Sequence, residues 1–287
     1  FAHIVLLPFY IRRLVPGLLS GWDWKVCRAV MPVALVGFPL SLSTWAFSGL
    51  DRIFLNWFAG AEEVGIYGAG YQIGAAILIL GFICNKEWQP LIFSLATKHA
   101  QLPATLQELW TRSLRLFLVG GSLVAFFSDD IVHRMLGQQY LASATIIPFI
   151  VTIAVLNVPH FFLVNFGLVC GKTYALMIES FLSVGVFVIA SIILIPHFGA
   201  LGVASAGVLA RTIGCLFLYS KEWNLFLVDQ SLVYWMIFFL GAILLGFSMG
   251  EGIPSGLIAI TITGLVIYQA TLYWKFLETI RLTEGGS

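Results

Sequence analysis

Residues 173–195 read TYALMIESFLSVGVFVIASIILI, and after Pro196, His197, Phe198 and Gly199 the chain resumes at residues 200–220 with ALGVASAGVLARTIGCLFLYS. Glu179 and Arg211 are the only formally charged residues in the two runs. An α-helix rises 1.5 Å per residue, so about 20 apolar residues cross the roughly 30 Å of hydrocarbon in a bilayer. Each run therefore reads as a membrane span, and the Pro and Gly between them mark the turn.

The same pattern extends in both directions. With Pro, Gly and charge clusters as boundaries, further spans are predicted over 29–56, 64–85, 113–128 and 142–169, and over 231–249 and 254–274 on the other side. The expected fold class is an all-α polytopic membrane protein with about eight complete transmembrane helices. Composition agrees: the 287 residues are 60% hydrophobic and 10% charged, with a mean hydropathy of +0.96, where a soluble domain carries about 25% charged residues. A net charge of +1, with the charges between spans, excludes an electrostatic nucleic-acid binder.

Phe1 to Tyr10 is apolar but too short to span, and Arg12 and Arg13 follow it, the reverse of a signal peptide's order. Residues 1–13 are expected to be the end of a transmembrane helix that begins upstream. Val26 to Phe58 would form a helix of about 50 Å, which must tilt, bend at Pro32 or Pro39, or protrude.

Lysine and arginine set the expected orientation, because short loops rich in them stay cytoplasmic. One alternate set of loops and ends holds Arg12, Arg13, Lys25, Arg28, Lys98, Arg112, Arg115, Lys172, Lys221, Lys275 and Arg281, while the opposite set holds Arg134. The C-terminus is expected in the cytoplasm. Cys27, Cys84, Cys170 and Cys215 then fall in the cytoplasmic half with no C-x-x-C pair, so neither a disulfide nor a metal site is expected. The longest inner loop, Thr97 to Arg112, carries Leu102, Leu106, Leu109 and Trp110 at helical spacing, as an amphipathic turn on the inner surface would.

An ionisable side chain inside a span costs about 2.5 to 3.5 kcal/mol on insertion scales, so each marks either pairing or function. Arg211 lies about 14 Å from the inner end of its helix, too deep to snorkel easily. Glu179 sits at comparable depth on the preceding helix, which leaves two readings: a structural ion pair, or a cavity cation for an anionic headgroup. Asp51 and Arg52 lie near the outer end of the first long helix, beyond Gly37, Ser41, Thr44 and Ser48, whose spacing puts small and polar groups on one face for packing or for a wet cavity. Lys86 and Glu87, before Pro90, fit reach to the inner headgroups. Gly70-x-x-x-Gly74 fits close helix approach. Asn157, Pro159, His160 and Asn165 interrupt an apolar helix, and either open its backbone at a cavity or hydrogen-bond a neighbouring span. Trp57, Tyr67, Tyr140 and Tyr234 fit interfacial anchors.

These residues carry a resemblance. Asp51-Arg52-Ile53-Phe54-Leu55, then Val64-Gly65-Ile66-Tyr67 and a Gly/Tyr-rich helix to Gln89-Pro90, resembles the seventh and eighth helices of Wzx-type polysaccharide flippases. Downstream, Leu136-Gly137 with Tyr140, and Ile195-Pro196-His197-Phe198-Gly199-Ala200-Leu201-Gly202-Val203-Ala204, is similar to further segments of that family, with Val203-Ala204 where the family usually has two alanines. The likeness covers most of residues 26–222 and points to the multidrug/oligosaccharidyl-lipid/polysaccharide exporter superfamily.

The resemblance implies a 14-helix transporter of two pseudosymmetric lobes in the bacterial cytoplasmic membrane. Residues 26–222 would form the six-helix C-terminal lobe, 230–276 an additional hairpin and 277–287 a cytoplasmic tail. It implies alternating access to a polyprenyl-diphosphate-linked oligosaccharide for surface polysaccharide synthesis, with no cofactor, and with polysaccharide assembly proteins as further partners. Arg211, Arg52 and Lys86 would bind the headgroup, with Glu179 and Asp51 positioning them or coupling an ion; of these, the Asp51-Arg52 pair alone maps onto a family motif.

A cation-coupled drug antiporter of the same superfamily is the nearest alternative and would favour membrane carboxylates, of which the spans hold few. A membrane polymerase or ligase needs a sizeable outer loop with catalytic residues. The outer loops at 59–63, 129–141, 196–199 and 250–252 are too small, and no acid pair or nucleophile-base arrangement stands out. The chain is not expected to be an enzyme.

Overall fold

The computed structural model describes residues 24–98 and 104–220. The expected helix end at 1–13, the hairpin at 230–276 with Tyr234, the tail at 277–287 and Leu102 lie outside them, as do the side chains of Gly37, Ser41, Thr44, Ser48 and Leu106.

Among the described residues the structure is entirely helical. α1 spans Trp24–Ala59, α2 Ala61–Lys98, α3 Ala104–Phe126 and α4 Ser128–Met135, followed by a 3-10 helix at Gln138–Thr145, α5 at Ile147–Val169 and α6 at Thr173–Ser220. Among the described residues, four stretches are long and apolar enough to cross a membrane: Ala61–Ser94, Glu108–Phe126, Ile147–Val169 and Thr173–Ser220. Their outward faces carry Ile79, Leu80 and Ile83 on α2 and Ile189, Ile192 and Ile193 on α6, all exposed. A water-facing surface would not present so many large apolar groups together, whereas hydrocarbon solvates them.

Turns are made where the backbone needs a positive φ. Gly60, at φ 89°, ends α1 with its N–H on the Leu55 carbonyl at 3.2 Å, and the acidic Glu62 and Glu63 open α2, where the helix dipole favours negative charge. Gly171, at φ 67°, follows α5, whose last carbonyls accept from Cys170 and Lys172 at 2.9 Å.

α6 consists of two helical arms joined by a sharp bend. Gly199 breaks it at φ 53°, ψ −128°, three residues after Pro196. A Cβ on Gly202 would lie 2.5 Å from the Leu194 carbonyl, and one on Gly214 would meet Glu179 Oε1 at 2.5 Å and the Ser183 hydroxyl. Residues progressively farther from the bend thus face each other, so the arms 173–198 and 200–220 run antiparallel, as the Pro and Gly between the two apolar runs predict.

α2 packs on α5, α1 on α6, and α5 on both α6 and α3. Gly70 and Gly74 are what let α2 approach: a Cβ on Gly70 would stand 2.8 Å from the Ser143 carbonyl, and one on Gly74 2.7 Å from Ile150 Cβ. We expect Gly74→Val to lower stability in detergent by roughly 1–3 kcal/mol, the usual range for forcing extra carbon into a packed core. Gly65→Val, at a position where a Cβ meets nothing within 4 Å, is the control in the same thermal unfolding assay and should cost far less.

One expectation is corrected here. Leu109 and Trp110 do not lie on the membrane surface; they are buried, and the Trp110 ring stands 5.4 Å from Phe162 in a cluster with Trp88 and Phe117. The cause is continuity: α3 begins at Ala104 and runs straight into its span, so this turn already faces α5. α5 is likewise unbroken through Pro159.

Candidate functional site

Four helices enclose a cavity of about 110 Å³. α1 contributes Phe47 and Asp51; α2 contributes Tyr67, Tyr71, Leu78 and Phe82; α5 contributes Ile150, Ile153 and Asn157; α6 contributes Phe187, Val203, Gly207 and Arg211. Along α2 the lining runs over four turns at spacings of four and seven, which a helix places on one face. Gly207 keeps α6 close to α5, since a Cβ there would meet Ile153 at 2.8 Å.

Arg211 stands at one end of this space. Its guanidinium carbon lies 4.7 Å from the centre of the Phe47 ring, and its Nε is buried with no hydrogen-bond partner. No ion pair to Arg211 exists among the described residues. Facing it from α5, Asn157 is buried and its side-chain oxygen is also unpartnered.

Glu179 is not the direct partner of Arg211. Its Oε1 accepts from the Ser183 hydroxyl at 2.7 Å and lies 3.1 Å from His160 Nε2, while Arg211 feels the carboxylate only through space. Gly214 makes this arrangement possible, because any side chain there would occupy the space of the carboxylate. His160, which the sequence places in an apolar helix with no evident partner, is thus paired across α5 and α6. Asn165, in the same helix, donates to Asn85 at 2.7 Å.

At the other end Asp51 is buried, and its Oδ2 accepts from the Tyr67 hydroxyl at 2.9 Å while Oδ1 takes the Arg52 amide at 2.7 Å. Tyr67 is 3% exposed. It is a cavity wall and a carboxylate partner, not the interfacial anchor its position near a helix end suggests. Trp57, at 71% exposed, keeps the character expected of an anchor.

The other expected cations do not converge on Arg211. Arg52 is exposed, with its guanidinium carbon 5.6 Å from the Tyr71 ring, so it touches the cavity only through that ring. Lys86 is exposed one turn beyond Phe82 and takes no part in the lining. Asp51 and Arg211 are the charged groups that the fold brings into one space, with Glu179 behind Arg211.

Glu63 was not among the expected functional residues. Its Oε2 accepts the Ala200 amide at 2.8 Å, tying the start of α2 to the bend of α6. A contact between residues 137 apart has no local signature.

Over 188 residues the chain is 23% identical to the probable flippase AglR of Haloferax volcanii, a match that covers 61% of this chain and 38% of that protein. Protein 1 of the Lsg locus of Haemophilus influenzae is 25% identical over 177 residues, covering 58% of this chain and 44% of that one. The chain therefore matches less than half the length of either relative. No protein-family profile matches it, and no solved structure does.

Proposed function

We propose that this membrane protein flips a lipid-linked oligosaccharide across the cytoplasmic membrane by alternating access. Arg211 is the observation that carries the reading. A buried cation without an ion pair is costly, because the low dielectric around it leaves its desolvation uncompensated. Here the cation lines a cavity that it shares with the unpartnered side-chain oxygen of Asn157. An anionic group, such as the diphosphate of a polyprenyl carrier, supplies the countercharge and acceptor that Arg211 lacks, while the Asn157 oxygen is placed to accept from a donor such as a sugar hydroxyl. Likeness to a protein named as a probable flippase supports the same direction.

In this proposal residues 26–222 form the C-terminal lobe of a transporter of the multidrug/oligosaccharidyl-lipid/polysaccharide exporter superfamily, and the C-terminus is cytoplasmic. The Glu63 contact at Ala200 would hold the outer turns of the lobe together while it moves as a unit. Lys86 would serve the headgroup only at the inner surface, where it is exposed. The nearest competing function is cation-coupled drug export, favoured by Asp51 in the same cavity. Yet both oxygens of that carboxylate already accept hydrogen bonds, which makes it less available to a cation than Arg211 is to an anion.

The test is complementation. Full-length protein expressed in a strain lacking its polysaccharide flippase should restore surface polysaccharide, and restored drug resistance without polysaccharide would replace this reading with the antiporter.

A further inference from the structure

We propose that His160 and Glu179 form a proton-binding site whose occupancy sets the affinity of Arg211 for an anion. The inference rests on the reading of Arg211 as an anion subsite.

Its basis is the layering of the inner end of the cavity. Asn157 and Arg211 line the space, and one turn farther along each helix, at a spacing of three, stand His160 on α5 and Gly214 on α6. Gly214 opens room for the Glu179 carboxylate, which His160 and Ser183 then hold. The pair is almost sealed, with side-chain exposures of 13% for His160 and 3% for Glu179. His160 Nδ1 has no partner. A imidazole and a carboxylate share Nε2 and Oε1 at 3.1 Å, so the pair can gain one proton from solution, on either residue, without breaking another contact.

The electrostatic consequence has a definite sign. Without the added proton the pair carries one negative charge, which offsets the Arg211 cation through space. With it the pair is neutral overall and Arg211 presents its full charge to the cavity. An anion therefore binds more tightly to the protonated form, and by reciprocity anion binding draws a proton in.

Few other groups can supply this behaviour. α1 has no titratable residue from Ala29 to Ala46, α5 has His160 alone, and the second arm of α6 adds Arg211, the exposed Tyr219 near its end and the Cys215 thiol, which contacts the Leu156 carbonyl at 3.6 Å. Asp51, Tyr67 and Tyr71 share the cavity from its other end. A metal cation fits poorly: no group of three His, Cys, Asp or Glu that could hold one occurs among the described residues.

Dibutyl phosphate is a suitable probe, because a phosphodiester keeps a single negative charge across the histidine range of about pH 5 to 8. Calorimetric titration of the full-length protein in detergent, in two buffers of different ionisation enthalpy, reads affinity and proton uptake together. We expect net proton uptake and binding at least about fivefold tighter at the acid end. Glu179→Gln, which keeps an acceptor for Ser183, and His160→Gln should each abolish the uptake.

Binding without uptake in the unaltered protein would overturn the linkage while leaving Arg211 an anion subsite, and this outcome needs no variant to fold. Uptake persisting in both variants would move the proton elsewhere, with Asp51 the foremost candidate, and overturn the assignment. Affinity that followed sodium against choline at fixed pH would overturn the proton as the ligand. No binding at any pH would remove the Arg211 reading, and the linkage with it.

Discussion

Arg211→Ala is expected to weaken binding of a phosphodiester by roughly thirtyfold to several thousandfold, which corresponds to the about 2–5 kcal/mol lost when one member of a buried charged contact is truncated. Export of polysaccharide by the full-length protein should fall with it. The effect on folding should go the other way. Among the described residues Arg211 makes no ion pair or hydrogen bond, and its contact is with the Phe47 ring, so removing it breaks no direct polar contact and relieves a buried charge that Glu179 offsets only through space, and the melting temperature in detergent should hold or rise. That combination separates a binding cation from a structural one, for which truncation costs about 3–5 kcal/mol of stability. Arg211→Lys keeps the charge but loses the flat guanidinium that lies on Phe47, and its affinity should fall between the two. A large loss of stability in Arg211→Ala, matched by Glu179→Gln, would show that the carboxylate holds the cation in place after all and would end the anion reading.

How far the sequence reveals this depends on whether a feature is local. Apolar length is local, and helices occur at each of the stretches 29–56, 64–85, 113–128, 142–169, 173–195 and 200–220, although several run on well past the expected ends. Hydropathy sets where a helix can lie in lipid but not where it stops, so α2 continues to Lys98 through Lys86, Glu87 and Pro90. Gly70 and Gly74 were legible because a one-turn repeat of missing side chains has few other uses than close approach. The depths of Arg211 and Glu179 were legible by counting residues at 1.5 Å each.

What the sequence withheld is choice of partner. Glu179 and Arg211 lie close enough in depth to suggest a pair, yet His160 from a third segment takes the carboxylate, a competition that no count along two helices exposes. Tyr67 looks like an anchor because it sits near a helix end, and becomes a cavity residue because Asp51 on the neighbouring helix needs a donor once buried. Leu109 and Trp110 show helical spacing in either setting; whether their face meets lipid headgroups or α5 is decided by where α3 begins. The spacing Tyr67, Tyr71, Leu78 and Phe82 was the one local sign of the cavity wall, and apolar faces of that kind also pack.

Gly199→Ala is expected to be strongly destabilising. The bend requires φ 53° with ψ −128°, a conformation that costs a residue with a Cβ about 1–3 kcal/mol, and that Cβ would also stand 2.7 Å from Glu63 Oε2. Relief by moving Glu63 gives up its hydrogen bond to the Ala200 amide, a helix-capping contact worth about 1 kcal/mol. Glu63→Ala alone should therefore lower stability by about that amount, and Glu63→Gln, which keeps an oxygen acceptor, by less. The two losses share one contact, so they should not add: in a thermal unfolding cycle the double variant Gly199→Ala, Glu63→Ala should be more stable than the sum of the single effects predicts. Strict additivity would mean that Glu63 and the bend act independently. The hydrogen bond from the Ala200 amide to Glu63 would then contribute nothing to holding the bend in shape.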